Sequence, residues 1–125
     1  MTDPKTLAVE AANAAFTKNA YEPVLLEVAD LSSYTDFILI LSGRSVRQVE
    51  AIAEAIQQEL KGRGYDPLGV EGGRGGQWML LDYGDVVVHV FYHQMREYYD
   101  LEGLWSEAPR VAIDVPEELR VVRTG

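Results

Sequence analysis

The chain has 125 residues, of which 47% are hydrophobic and 25% are charged, so it fits one globular domain and not a fibrous or disordered chain. An excess of acidic residues (20 against 11 basic) gives a net charge of -9, which argues against general nucleic-acid binding and favours a basic partner, although acidity also serves solubility alone. The chain contains no cysteine, which excludes disulfides and thiolate metal sites.

The first predicted element is a helix that begins at Pro4, with Asp3 as its N-cap, and ends at Asn19 and the YEP segment that follows. Its apolar side is narrow and rich in alanine, which favours close packing against a sheet. Two short apolar segments, residues 24–28 and 37–41, then predict strands that can pair directly. The second segment lacks polar alternation, so we expect helices to cover at least part of each of its faces.

A second helix is predicted over residues 46–60 because its apolar side chains recur at helical spacing. Ser45 is its predicted N-cap, Gln48 completes a capping box, and Gly62 and Gly64 mark its end. We expect the strand that follows to lie parallel through a right-handed crossover.

The C-terminal half of the chain predicts three more strands and one last helix. The strands span residues 67–71, 77–82 and 85–93, and the helix spans residues 95–105. Tyr83-Gly84 is the predicted hairpin turn. The order of elements predicts an α/β fold, in which helices pack on a mixed β-sheet of about five strands. Residues 1–106 form the predicted domain, and residues 107–125 a tail that we expect to be extended, or at most a strand against a sheet edge or a partner.

No apolar segment approaches the roughly 18 residues of a membrane-spanning helix. The N-terminal segment MTDPK lacks both the basic start and the apolar core of a secretory signal. We therefore expect a cytoplasmic protein without a membrane partner.

The segment SGRS, residues 42–45, lies between a buried strand and a helix N-terminus, where nucleotidyl-transfer domains hold a triphosphate. Such enzymes also need carboxylates that bind magnesium, and Asp82 and Asp85 are available. A helix cap explains Ser45 equally well. A nucleotide-binding enzyme is therefore the alternative interpretation.

His89 and His93 have the spacing of metal ligands on a helix, but they fall in a predicted strand. Four residues of strand separate them by roughly 13 Å, which is too far for a shared metal ion. We expect a structural or docking histidine and no metal site. The glycine-rich residues 72–76 precede a strand rather than a helix, so no phosphate site is predicted there.

Large aromatic residues are dense between positions 78 and 105. They are Trp78, Tyr83, Phe91, Tyr92, Tyr98, Tyr99 and Trp105. Some must belong to the core, but a domain of this size can hardly bury them all. Since interfaces are enriched in Tyr and Trp, the pattern favours an aromatic docking face, and a homodimer formed through the same residues stays open.

Three segments carry a family resemblance: DFILILSGRSVRQV from Asp36, WMLLDYGDVVVHVF from Trp78 and REYYDLEGLW from Arg96. In this order and spacing they resemble the ribosomal silencing factor family, also called Iojap or YbeB, over about residues 5–106. The glycine-rich residues 72–76 depart from the family's usual segment, which carries tyrosine and charges, so a contact from this loop is not carried over.

The resemblance implies a fold related to nucleotidyltransferases, without known transferase activity and without a cofactor. It also implies binding to the large ribosomal subunit through its ribosomal protein number fourteen, which blocks joining of the small subunit and lowers translation when nutrients are short. The docking residues that it implies are Trp78, Asp82, Tyr83, Asp85, His89, Tyr98, Leu101, Leu104 and Trp105. Their aromatic and leucine side chains would supply apolar contact, and the aspartates would meet Lys or Arg of the basic partner.

Overall fold

The computed structural model of the chain describes residues 3–72 and 74–119. The expectations above that concern Met1, Thr2, Gly73 and residues 120–125 lie outside these ranges. The elements are α1 (Pro4–Phe16), β1 (Tyr21–Glu27), β2 (Phe37–Gly43), α2 (Val46–Gly62), β3 (Gly69–Gly72), β4 (Trp78–Asp82), β5 (Val86–Tyr92), α3 (His93–Tyr99), α4 (Leu101–Leu104) and β6 (Arg110–Val111). Short 3-10 turns occupy Arg74–Gly76 and Glu117–Leu119.

The strands form one mixed sheet in the order β3-β4-β5-β2-β1-β6. β2 and β5 are parallel neighbours, and the other neighbouring pairs are antiparallel. This confirms the predicted α/β fold and the direct pairing of the first two strands. β3, which follows α2, runs in the direction of β2 as expected, but it lies at an edge of the sheet. The sixth strand is the short β6, in the segment that we expected to be extended or at most a strand against an edge.

α1 and α2 cover the first face of the sheet and share its main hydrophobic core. α2 contributes its predicted stripe, Val49, Ile52, Ala53, Ile56 and Leu60, and all of these side chains are buried. α1 contributes mostly alanines, and their small side chains let α1 lie close to α2 and to the strands.

The N-terminus of α2 is held by side-chain hydrogen bonds. Ser45 Oγ accepts a hydrogen bond from the Gln48 N–H at 3.1 Å, which confirms Ser45 as the N-cap. Gln48 Oε1 accepts from the Arg44 N–H at 2.6 Å, one residue before the partner that a capping box predicts. Gln48 Nε2 donates to the carbonyl oxygens of Lys18 and Asn19, both at 3.0 Å. Gln48 therefore also ties the end of α1 to the start of α2.

β1 begins at Tyr21, earlier than predicted. A bulge between Tyr21 and Val24 interrupts its pairing with β2, and Glu22 has a left-handed φ of +50°. Pro23 lies within this bulge, where its missing N–H does not break the regular ladder. The YEP segment therefore starts a strand, although we expected it only to end α1.

The last predicted helix is divided into α3 and α4, and it begins earlier, at His93. Asp100 divides it because its backbone is left-handed, with φ of +46°. The Asp100 carboxylate then accepts a hydrogen bond from the Gly103 N–H at 3.0 Å and caps α4.

Beyond residue 106, β6 pairs with Leu25 and Leu26 of β1. Ile113, Val115 and Leu119 pack against the core of the first face. Residues 107–119 thus run beside the β1 edge of the sheet, and the division of the chain at residue 106 stays a prediction. Across the two described ranges, no helix has both the length and the apolar character that a bilayer crossing requires.

Candidate protein-binding surface

The second face of the sheet is only partly covered, by α3 and α4. Its core consists of Leu26, Val28, Ile38, Ile40, Phe91 and Ala108, on which Met95, Leu101 and Trp105 pack. β4 lies nearer the edge of the sheet, and its second-face side chains Trp78, Leu80 and Asp82 are half-buried. A partner can reach the sheet here, because the helices leave this part of it open.

Trp78 is the centre of an aromatic cluster on the second face. Between ring centroids it lies 4.7 Å from Tyr99, 5.3 Å from Phe91 and 5.8 Å from His89. Phe91 is its cross-strand neighbour on β5, and Tyr99 comes from the end of α3. Stacked and tilted ring pairs of this kind favour fixed orientations, so Trp78 is a rigid part of the surface.

His89 supports Trp78 from β5 and is itself only 7% exposed. Its Nδ1 accepts a hydrogen bond from the Trp78 Nε1–H at 3.1 Å. Burial lowers the pKa of His89 from 6.5 to about 4, so the imidazole is neutral near pH 7 and can act as this acceptor. His89 therefore holds the Trp78 indole in place from below the surface.

α3 and α4 add exposed side chains beside Trp78. Tyr98 and Leu104 are largely exposed, and Tyr99 is partly exposed. The Tyr98 ring meets the edge of Tyr99, with centroids 5.2 Å apart, and Tyr99 in turn contacts Trp78. We call Trp78, Leu80, Tyr98 and Tyr99 the aromatic patch.

A buried arginine holds α3 and α4 against the sheet. Arg96 Nη1 donates hydrogen bonds to the Glu22 carbonyl oxygen at 2.5 Å and to Ser42 Oγ at 2.8 Å. Arg96 Nε donates to Glu102 Oε1 at 2.7 Å. These contacts join both helices to β1 and β2. Arg96 therefore fixes where α3 and α4 lie on the sheet, and with them their exposed side chains.

Seven of the nine predicted docking residues belong to the strands of the second face or to the segment that forms α3 and α4. Trp78, Asp82 and His89 lie on its strands, and Tyr98, Leu101, Leu104 and Trp105 lie on or directly after α3 and α4. Leu101 and Trp105 are half-buried in the second core, and Asp82 Oδ1 accepts a hydrogen bond from the Gly84 N–H at 2.8 Å. That a partner contacts these residues stays a prediction.

Two predicted docking residues lie elsewhere. Tyr83 packs against the core of the first face, and no described residue hydrogen-bonds to its buried hydroxyl. Burial raises the pKa of Tyr83 to about 12, with a smaller contribution from Asp66, so its phenol stays neutral. Asp85 is exposed in the β4–β5 turn, and its carbonyl oxygen accepts hydrogen bonds from the N–H groups of Asp36 and Phe37.

Leu80 and Tyr99 belong to the aromatic patch but not to the docking residues that the resemblance implies, although Tyr99 is one of the aromatic residues from which the sequence predicts a docking face. Strand alternation is a signal for Leu80, because it shares a sheet face with Trp78. The sequence indicates the location of Tyr99 less clearly, because its orientation at the end of α3 depends on the left-handed backbone of Asp100.

The residues of the alternative nucleotide site are not brought together. Ser42 pairs with Phe91 at one end of β5, whereas Asp82 pairs with Val87 at the other end, roughly 13 Å away. Ser42 is buried, and its hydroxyl accepts a hydrogen bond from Arg96. Within residues 3–72 and 74–119, no three His, Asp or Glu side chains are grouped closely enough to hold a metal ion.

A family profile described as "Ribosomal silencing factor during starvation", RsfS, matches residues 1–124. The chain is 41% identical over 104 residues to the ribosomal silencing factor RsfS of Halalkalibacterium halodurans, across 83% of this chain and 89% of the relative. It is 39% identical over 110 residues to the protein of the same name from Bacillus subtilis, across 88% of this chain and 93% of the relative.

A solved structure has the same fold. The crystal structure of a Chromobacterium violaceum protein superposes with a TM-score of 0.81 at 34% identity, across 92% of this chain and 95% of that chain. The profile match covers nearly the whole sequence, and the relatives agree with it over most of their length. The chain therefore belongs to the RsfS family of ribosomal silencing factors.

Proposed function

We propose that the chain binds the large ribosomal subunit through its ribosomal protein number fourteen and sterically blocks joining of the small subunit, which represses translation under nutrient limitation. The observation that carries this proposal is the aromatic patch, in which Trp78 is held by Phe91, His89 and Tyr99 and lies beside exposed side chains on the open sheet face. The RsfS membership of the chain and the name that both relatives described above carry, ribosomal silencing factor, support a ribosomal partner.

Steric exclusion needs an interface of ordinary size and no chemical step. A few central aromatic residues usually supply most of the binding free energy of such an interface. Trp78 already has neighbours that hold its ring, so its side chain loses little entropy when a partner binds. The proposed factor is therefore not an enzyme and requires no cofactor.

The net charge of -9 supports a basic protein partner. Bare ribosomal RNA would repel the chain, whereas a protein rich in Lys and Arg would attract it. We place this interaction in the cytoplasm.

Sucrose-gradient cosedimentation of the purified chain with large subunits, small subunits and a reassociating mixture tests the proposal. We expect comigration with the large subunit alone and fewer joined ribosomes. No comigration at near-physiological salt would contradict the proposal. Calorimetry with nucleotides and magnesium would then test the alternative, a nucleotide-binding enzyme.

Exposed tyrosines offer a matched pair of variants for the same assay. Tyr98 belongs to the aromatic patch and is 77% exposed, and Tyr34, in the β1–β2 connection, is 75% exposed. We expect Tyr98→Ala to weaken binding to the large subunit at least tenfold and Tyr34→Ala to change it less than twofold, because interface aromatics dominate binding. If the two substitutions weaken binding equally, the aromatic patch is not part of the interface. Thermal unfolding of both variants checks that they stay folded.

A further inference from the structure

A cavity of about 190 Å³ lies beside the aromatic patch, between β3 and β4, and is lined by Glu71, Gly72, Trp78 and Leu80. Glu71 and Leu80 are direct partners in the β3–β4 register, so their side chains share the second face. The cavity lies on the β3 side of Trp78, opposite the side on which β5 places Phe91 and His89.

The walls of this cavity differ in chemistry. Leu80 is aliphatic, and Trp78 offers its indole surface. The indole N–H is already donated to His89, so Trp78 has no free donor for a ligand. Glu71 is exposed, and no residue in the described ranges donates a hydrogen bond or forms an ion pair to its carboxylate. The cavity therefore combines two apolar side chains, Trp78 and Leu80, with the single carboxylate of Glu71.

We propose that this cavity receives a Lys or Arg side chain of the protein partner; the inference rests on the function proposed above. Such a side chain has an aliphatic stem, which can lie against Leu80, and a cationic head, which can reach both the indole face and the Glu71 carboxylate. Gly72 lines the cavity with its backbone only, since a side chain at this position would point toward Met79 on the first face. The acidic charge of the whole chain also favours a basic occupant.

Other occupants fit the walls less well. A purely apolar side chain would bury the Glu71 carboxylate without a partner, which is costly. A phosphate group would meet the same carboxylate and be repelled, so an RNA backbone is disfavoured. A second copy of this chain is a weaker candidate because it carries the same acidic net charge.

The test compares Glu71→Gln with Glu54→Gln, which makes the same change in net charge at an exposed position of α2, on the first face. Dissociation constants for purified large subunits are measured at about 100 mM and about 300 mM KCl, since salt screens exposed ion pairs. We expect Glu71→Gln to weaken binding about threefold to tenfold at low salt, and less at high salt. Glu54→Gln should change it less than twofold. Glu71→Lys should weaken binding by a larger factor than Glu71→Gln, through direct repulsion.

Each contrary result identifies what is wrong. If the unaltered chain does not bind large subunits, the proposed function and this inference both fail. If the unaltered chain binds and Glu71→Gln binds equally well, the partner's basic side chain does not enter this cavity. In that case the proposed function stands and only the inference about the cavity fails. Tighter binding by Glu71→Gln indicates an apolar or phosphate occupant. If Glu71→Lys disrupts self-association in sedimentation velocity but not subunit binding, the occupant is a second copy.

Discussion

At the scale of single residues, the hydrogen bond between Trp78 and His89 joins a surface ring to a buried one. The sequence pointed to both residues and left His89 as either a structural or a docking histidine. The structure leaves His89 almost no exposed surface, and it places Tyr83 on the opposite side of the sheet from Trp78. Residue type is enough to select a side chain as a candidate docking residue, but whether it contacts a partner or supports the core depends on the residues that pack around it.

The buried imidazole of His89 makes folding stability depend on pH. Its pKa is about 4 in the folded chain against 6.5 ordinarily, so the unfolded chain binds the proton first. The stabilisation is complete above pH 6.5 and is lost as the pH falls toward 4, by up to about 3 kcal/mol. Urea unfolding at several pH values should show this loss in the unaltered chain and a shallower pH dependence in His89→Gln. His93→Gln, at an exposed position, is the control.

A parallel decline in His89→Gln and the unaltered chain would show that His89 does not cause this pH dependence.

The buried hydroxyl of Tyr83 predicts a stabilising substitution. It has no hydrogen-bond partner among the described residues, so Tyr83→Phe removes an unsatisfied polar group without breaking a contact. We expect the free energy of unfolding to stay equal or to rise by about 1 kcal/mol in denaturant titrations. Tyr98→Phe, which alters an exposed hydroxyl, should change it by less than about 0.5 kcal/mol. A clear loss of stability in Tyr83→Phe would mean that the hydroxyl is hydrogen-bonded in solution.

At the scale of secondary structure, local signals predicted the elements well where the pattern is periodic. The stripe of α2 and its N-cap Ser45 were both predicted, because each depends on residues within a few turns of one helix. The α3–α4 break was missed, because aromatic spacing continues across Asp100 while its backbone turns left-handed. The composition of this segment does not predict that a single residue, Asp100, adopts a left-handed backbone conformation.

The position of α3 and α4 depends on Arg96, which predicts a large effect of a conservative change. Arg96→Lys keeps the charge but cannot reproduce the three hydrogen bonds of the guanidinium group, so it should lower the free energy of unfolding by about 2–3 kcal/mol. Arg110→Lys is the matched control, because Arg110 approaches the same Glu102 at 3.6 Å with its side chain 64% exposed. It should cost less than about 0.5 kcal/mol. Comparable losses in the two variants would show that Arg96 does not hold the helices.

At the scale of the whole molecule, the sheet order explains where a partner can bind. α1 and α2 both pack on the first face, so that face is closed. Among the described residues, α3, α4 and Ala108 pack on the second face over β1, β2 and β5, which leaves most of β4 and β3 open. The aromatic patch and the cavity beside it both belong to this open part. The cosedimentation assay and its variants therefore probe one continuous region.

The sequence by itself determined the α/β class, the α2 helix and the family, because local periodicity and ordered motifs carry these properties. Only the tertiary structure decided that β3 and β6 are the edges, that Gln48 ties α2 to the end of α1, and that Trp78 and Tyr83 serve opposite faces. These outcomes depend on strand register and on which helix covers which face. Residues far apart in the chain set both, so no local pattern contains them.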